Sequence, residues 1–446
     1  MPNKKVKPLN VFVLVMINYA KIYLWDLHMA SIAEDESGRI RMEYTPEFVR
    51  SGYNPSPLFV TPQNGMVYDF SLLPRETFKG LPGFVADCLP DKFGTAIINH
   101  WLEKSGRPRD SYTTIERLLY QGSRAMGALR FEPQERKDLN KQVAIDLDGL
   151  VAAAAEVLSN RMQFDTNLNT DDEALLTILR VGTSAGGARP KAVVAYNKET
   201  GDLRSGQVDA PDGYEHWLLK LDGVDENNPA SFGDTKNYGC LEYAYYRMVV
   251  DCDIEMMESR LLEDGVRHHF MTKRYDRIGG SHRVHKVSLC GMNHMDYNQP
   301  DSWSYEQLFS VMRGLRLSQR EMIQAYRRMV FNVIGCNQDD HTKNVEFLMD
   351  TDGVWRLAPA FDMSFAYGVG YTRRHQMSVN GKRLHISRKD LLAVASEIDL
   401  DHREANAIID RTLDVIGNFN TYINGSVPEW MVHPIRARLE EIRKEL

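Results

Sequence analysis

The stretch Ile334-Gly-Cys-Asn-Gln-Asp-Asp-His-Thr-Lys-Asn344 is followed, eighteen residues on, by Asp362 within Ala358-Pro-Ala-Phe-Asp-Met363. Asp339, Lys343, Asn344 and Asp362 make a compact polar set. A carboxylate to accept a hydroxyl proton, an amide oxygen and a second carboxylate to hold Mg²⁺, and a cation to meet migrating negative charge are the parts that phosphoryl transfer from a nucleotide requires. Asn-Gln-Asp-Asp is also ordinary turn chemistry. The stretch alone therefore fits a polar turn as well as it fits an active site.

Spacing and context add weight. Asp339 precedes Asn344 by five positions, the separation of the catalytic-loop Asp and the magnesium-binding Asn in protein kinases. Residues 344–349 and 354–357 read as a hairpin across Asp350-Thr-Asp-Gly353, which returns the chain so that Asp362 lies near Asn344. Upstream, Val181-Gly-Thr-Ser-Ala-Gly-Gly-Ala-Arg-Pro-Lys191 crowds small residues before a strand at 192–196. Lacking bulky Cβ substituents, such a loop lets backbone N–H groups approach phosphates. It is not a Walker loop, which needs Gly-Lys-Ser/Thr opening a helix, and a lone Gly-Gly turn is a weak signal. Lys220 is the single lysine of the apolar strand Glu215-His-Trp-Leu-Leu-Lys-Leu221. A strand lysine can snorkel to the surface, but a kinase carries its phosphate-pairing lysine in such a strand. Leu241, Ala244, Tyr245 and Met248 recur at helical spacing, so Glu242 sits on a helix, where it either orients Lys220 or faces solvent. Residues 270–276 pass from strand to loop, an edge whose main chain can face an adenine.

At 446 residues the chain exceeds the roughly 250–300 at which one core stops growing, so two or more domains are expected. The net charge of −7 argues against a general nucleic-acid binder. Residues 267–286 and 373–389 are locally basic, which reads as solvated charge or as a face for ATP or an acidic partner. Five cysteines, widely spaced and without a C-x-x-C, suggest reduced thiols in a cytoplasmic protein. No signal peptide and no apolar run of membrane-spanning length is apparent. Strands are expected at 10–16, 21–25, 58–60 and 66–68. Helices are expected at 91–104, after Thr113-x-x-Glu116, at 145–160, 171–180, 238–250, 305–312 and 318–334, and through most of 387–446. The expected division is an accessory α/β module over 1–140, a nucleotide-binding α/β region over 145–300 and a mostly helical part over 301–446.

The chain resembles the HipA family, the serine/threonine kinase toxins of bacterial toxin–antitoxin modules. The resemblance rests on Ser184-Ala-Gly-Gly-Ala-Arg-Pro-Lys191, Trp217-Leu-Leu-Lys220, Lys273-Arg-Tyr-Asp-Arg277, Asn337-Gln-Asp-Asp-His-Thr-Lys-Asn344 and Leu357-Ala-Pro-Ala-Phe-Asp362, with weaker similarity in Leu89-Pro-Asp91 and Met126-Gly-Ala-Leu-Arg-Phe131. It implies an α+β fold with a protein-kinase-like two-lobed core behind an N-terminal accessory module. It also implies an ATP- and Mg²⁺-dependent kinase in which Asp339 is the catalytic base and Asn344 and Asp362 are the metal ligands. Lys220 would pair the phosphates, and Ala185, Gly186, Gly187, His341 and Lys343 would line them. The main chain of Lys273 and Tyr275 would hold the adenine. Ser184 resembles the loop serine that such kinases autophosphorylate, and a dianion there could not stay packed under the nucleotide. The implied partners are a helix-turn-helix antitoxin, DNA only through it, and a protein substrate such as an aminoacyl-tRNA synthetase. Two departures bear on substrate choice: His285-Lys-Val-Ser-Leu-Cys-Gly-Met-Asn-His294 lacks the acidic run of well-known members, and Lys273 stands where they carry an acid.

Two other classes of function compete. A catalytically weak relative would act with the antitoxin as a transcriptional corepressor. A hydrolase or nuclease would hold metal on Asp339, Asp340, His341 and Asp362, a reading that leaves Lys220 and the glycine-rich loop unexplained.

Overall fold

Alternation decides the first sheet. Ala20, Ile22 and Leu24 point inward along strand Tyr19–Leu24, and Ile40, Met42 and Tyr44 do so along Ile40–Tyr44, the period of two that places one face on a core. The computed structural model describes residues 18–109, 111–162, 172–182, 189–224, 237–299, 301–423 and 425–446. The strand expected at 10–16 lies outside them. Five antiparallel strands run in the order Val67–Asp69, Ile40–Tyr44, Leu27–Glu34, Tyr19–Leu24, Leu129–Glu132. The extended piece expected at 58–60 is instead a turn, closed by the amide of Val60 donating to the Ser56 carbonyl at 3.2 Å.

The second sheet is also antiparallel, in the order Leu203–Ser205, Lys191–Tyr196, Glu215–Lys220, Arg267–Lys273, Ser259–Asp264. All six residues of Lys191–Tyr196 are buried, and Ala192, Val194 and Tyr196 pack in one core with helices Leu147–Met162 and Asp172–Val181. Helix Lys92–Lys104 joins that same core through Phe93, Ile97, Ile98 and Leu102. The first sheet instead shares a core with the helical C-terminal part, so the N-terminal segment contributes to both cores. Capping boxes at Thr113/Glu116 and Ser318/Glu321 start helices Thr114–Gln121 and Gln319–Ile334, each cap contributing about 1 kcal/mol.

The C-terminal part comprises helices Tyr305–Gly314, Gln319–Ile334, Arg388–Glu397, His402–Gly417 and Glu429–Glu445. A small sheet of His285–Ser288, Glu346–Met349 and Trp355–Leu357 stands at its junction with the second sheet, and its last two strands are the expected hairpin. The α+β class, a sheet-rich part followed by a mostly helical one behind a further sheet module, is the architecture observed. Among the described residues no helix is long and apolar enough to cross a membrane.

The modules meet through buried charge. Asp276 accepts the Gly127 amide at 2.6 Å and is clasped by Arg274 at 2.6 Å and Arg277 at 3.0 Å, while Arg277 donates to the carbonyls of Gly127 and Ala125. The Lys273-Arg-Tyr-Asp-Arg277 motif is therefore also the clamp that holds the first module to the second sheet.

Candidate active site

Lys220 ends its strand with Lys191 directly opposite on one side and Phe270 on the other. Helix Tyr238–Asp251 begins flat against the neighbouring strand. A Cβ on Gly239 would lie 2.1 Å from the His268 carbonyl oxygen, so only glycine permits that approach. One turn later, Glu242 reaches Lys220. The Lys220 ammonium bonds Glu242 Oε1 and also Asp362 Oδ1, which arrives from the far side of the cleft. Burial alone would lower the lysine's pKa, but the carboxylates of Asp362 and Glu242 outweigh it and hold it above the ordinary value. Asp362 is the mirror case: burial opposes its charge, and Lys220 followed by Lys191 overcome it, holding the carboxyl well below the usual range. Glu242 thus orients Lys220 rather than facing solvent.

Asp362 adopts a left-handed conformation, φ +50°, and its carbonyl receives the Asn337 side chain at 3.2 Å. This ties it to the loop that carries Asp339. That loop is fixed from beneath by Asp340, 2% exposed, which accepts from Tyr305 Oη at 2.9 Å, His375 Nδ1 at 2.8 Å and the Gln376 amide at 2.7 Å. Asp339 itself is partly open, with 34% of its side chain exposed. Its Oδ1 is buried without a hydrogen-bond partner among the described residues and lies 3.7 Å from His341 Nε2. Burial raises its pKa; His341 opposes that rise, and the charges of Asp362 and Asp340 add to it. Asn344 donates its side-chain amide to the Asp339 carbonyl at 2.8 Å, leaving its Oδ1 as an acceptor or metal donor.

Lys220, Asp339, His341, Asn344 and Asp362 are thus brought together around one cleft. Lys343 is not. Its ammonium lies 5.0 Å from the centre of the Tyr297 ring, with Asp87 of the first module as the strongest opposite charge acting on it. The short helical turn Thr342–Asn344 sends positions 343 and 344 in different directions, a fact hidden in the linear spacing. At the expected adenine edge the Lys273 amide donates to the Glu258 carbonyl at 2.9 Å and its ammonium pairs with Glu215. Tyr275 packs against Phe361 at 6.0 Å and bonds Glu346 Oε2 at 2.5 Å. Among the described residues, the main chain of Tyr275 has no hydrogen-bond partner. Ser184, Ala185, Gly186 and Gly187 lie outside the described residues.

Residues 183–418 match the family model of the HipA-like C-terminal domain, and residues 20–132 match that of the HipA N-terminal domain. The chain belongs to the HipA family. The HipA toxin–antitoxin complex of Shewanella oneidensis MR-1, solved with HipB and operator DNA, has the same fold, with 16% identity over 96% of both chains and a TM-score of 0.60. A looser likeness is to the Helicobacter pylori proinflammatory kinase CtkA, 13% identical over 52% of this chain and 88% of that one, with a TM-score of 0.33. No curated protein matches.

In this HipA-family chain the cleft holds residues that the sequence reading did not single out. Lys191, 3% exposed, shares a face with Lys220 as its cross-strand neighbour and lies beside Asp362 and Asp91. Asp91 comes from the HipA N-terminal domain. One of its oxygens caps helix Lys92–Lys104 through the Gly94 amide at 2.5 Å, while the other is buried with no hydrogen-bond partner among the described residues. Burial pushes this carboxyl up to about 7 against the pull of Lys191 and Lys343. A cross-strand register could have flagged Lys191; Asp91 stands in the Leu89-Pro-Asp91 stretch that shares the resemblance, but nothing local tells that it reaches Lys191.

The donor set suits a hard cation with few protein ligands. Asn344 Oδ1 and the Asp362 carboxylate are oxygen donors, and among the described residues there is no cluster of three or more His, Cys, Asp or Glu side chains. Mg²⁺ is typically held in this way, by one or two protein oxygens with waters and phosphates completing its shell.

Proposed function

We propose that the chain is an ATP- and Mg²⁺-dependent serine/threonine protein kinase and the toxin of a HipA-type toxin–antitoxin module. The observation that carries this reading is the clasp of Lys220 by Glu242 and Asp362 in the cleft that also holds Asp339. Lys220, oriented by Glu242, meets the nucleotide's phosphates, and Lys191 adds charge beside it. Asn344 Oδ1 and the Asp362 carboxylate would hold magnesium, which when bound neutralises charge on the phosphates. Asp339 takes the proton of the acceptor hydroxyl. Its partial exposure suits that task, and its raised pKa makes it a better base than an ordinary aspartate. Catalysis is then positioning and electrostatics, as phosphoryl transfer needs.

The partner in this reading is a helix-turn-helix antitoxin, supported by the fold shared with a HipA solved with HipB and operator DNA. The protein acceptor is a translation component of the aminoacyl-tRNA synthetase class, and Ser184 is the self-modification site. Incubation of purified protein with labelled ATP and a cell lysate, with phosphosites mapped by mass spectrometry, tests both. Phosphoserine or phosphothreonine on a translation protein and on Ser184 supports the reading; label on neither removes it. The same structural neighbour favours the second reading, a corepressor without kinase activity, for which the lysate stays unlabelled while antitoxin binding persists.

A further inference from the structure

The segment after Asp362 returns to the catalytic loop twice. Ala366 exchanges backbone hydrogen bonds with that loop, donating to the Cys336 carbonyl at 3.0 Å and accepting the Gln338 amide at 2.9 Å. Further on, His375 and Gln376 are fixed on the buried carboxylate of Asp340. Between these anchors the chain forms an exposed loop over residues 367–374. Val369 is 99% exposed, and Gly370 takes φ +88°, a conformation that favours glycine. The loop turns through the short helix Tyr371–Arg373, whose first carbonyl is held by the Gln376 side chain at 2.5 Å. Tyr371 is 60% exposed, yet its phenol hydroxyl hydrogen-bonds the Asp339 carboxylate.

An acceptor hydroxyl presented to a general base must sit within hydrogen-bond reach of that base. Tyr371 already places a hydroxyl there. We propose that Tyr371 is a substrate-mimicking gate: its phenol occupies the acceptor-hydroxyl position on Asp339, and a protein substrate must displace it, with the 367–374 loop swinging on its two anchors. This rests on Asp339 being the base of the proposed kinase. The exposed side chains of Tyr367, Val369 and Tyr371 fit the role. The further ties that opening must break, the Arg438 guanidinium 4.8 Å over the Tyr367 ring and the partly exposed Arg374–Asp301 ion pair at 2.6 Å, are surface contacts worth little, and the three side chains offer apolar surface to the arriving protein.

Two measurements on the full chain test the gate. With casein as a generic serine-containing acceptor and saturating ATP, Tyr371→Phe keeps the ring but removes the hydroxyl. Phosphotransfer then rises by about tenfold, the effect of losing one hydrogen bond to a charged group, with KM for ATP unchanged. An equal or slower rate in the variant, while the wild type transfers phosphate, overturns the gate and leaves the kinase reading standing. So does phosphotyrosine at position 371, which would make it an acceptor. The second readout needs no activity: 3-fluorotyrosine at position 371, followed by ¹⁹F NMR, should shift on Asp339→Ala. An unmoved resonance overturns the contact. A moved resonance with no phosphotransfer by any variant upholds the contact but defeats the kinase reading, and with it the gating role.

Discussion

Lys191 and Lys220 stand directly opposite each other in adjacent antiparallel strands, so two ammonium groups share one face of the sheet. Like charges so placed repel. Asp362 makes the arrangement tenable, since it is paired with Lys220 and is the strongest opposite charge acting on Lys191. Asp362→Asn should therefore cost stability as well as activity. With the Asp362 side chain 34% exposed, the loss should be about 2 kcal/mol, below the 3–5 of a fully buried broken pair. In a Lys191→Met background the same change should cost markedly less, because one of the repelling charges is gone. Urea unfolding of the four proteins in the cycle measures this, and equal losses in both backgrounds would contradict it.

Lys343 offers a separation of roles. Since its ammonium sits over Tyr297 with Asp87 as the strongest opposite charge, Lys343→Met should leave KM for ATP within about twofold while lowering the unfolding midpoint. Lys220→Met should instead abolish phosphotransfer. A large rise in KM from Lys343→Met would return that lysine to the phosphates.

The modules are joined with no room to spare. A Cβ on Gly83 would lie 2.2 Å from the Gly291 carbonyl oxygen, and next to this contact Asp87 accepts the Ser288 amide and hydroxyl, each at 2.8 Å. Gly83→Ala must push helix Gly83–Ala86 off helix Leu289–Asn293, at about 1–3 kcal/mol for overpacking. Hydrogen exchange should quicken in Leu289–Asn293; unchanged protection would show that the contact yields freely.

Much of this site was legible because its signals are local. The capping boxes at Thr113 and Ser318, the five-residue step from Asp339 to Asn344 and the hairpin that returns Asp362 each depend on short-range chemistry. Lys220 was legible as the single lysine of an apolar strand. The rest is carried by long-range packing. The direction of Lys343 depends on a helical turn meeting Tyr297, and Asp91 enters from a domain more than 200 residues upstream of the catalytic loop. Helix Lys92–Lys104 was expected as a helix, but its membership in the second core follows from tertiary contacts alone.

Acid should destabilise the chain early. His100, His216 and His285 are 2%, 3% and 1% exposed, and burial pushes each down to about 4. The unfolded chain, with histidines near 6.5, binds more protons below that pH, so this contribution is present above about 6.5 and is lost as pH falls towards 4, at up to roughly 3 kcal/mol per residue. The urea midpoint should decline across that window. His285→Asn should flatten the decline, and an unaltered slope would contradict its neutral burial.

Asp339→Asn tests the central claim most directly. Purified protein is incubated with labelled ATP and Mg²⁺, and nucleotide binding is followed separately. The account predicts phosphate on serine or threonine with the wild-type chain, none with Asp339→Asn, and ATP affinity little changed between them. Retained transfer by the asparagine variant would contradict it.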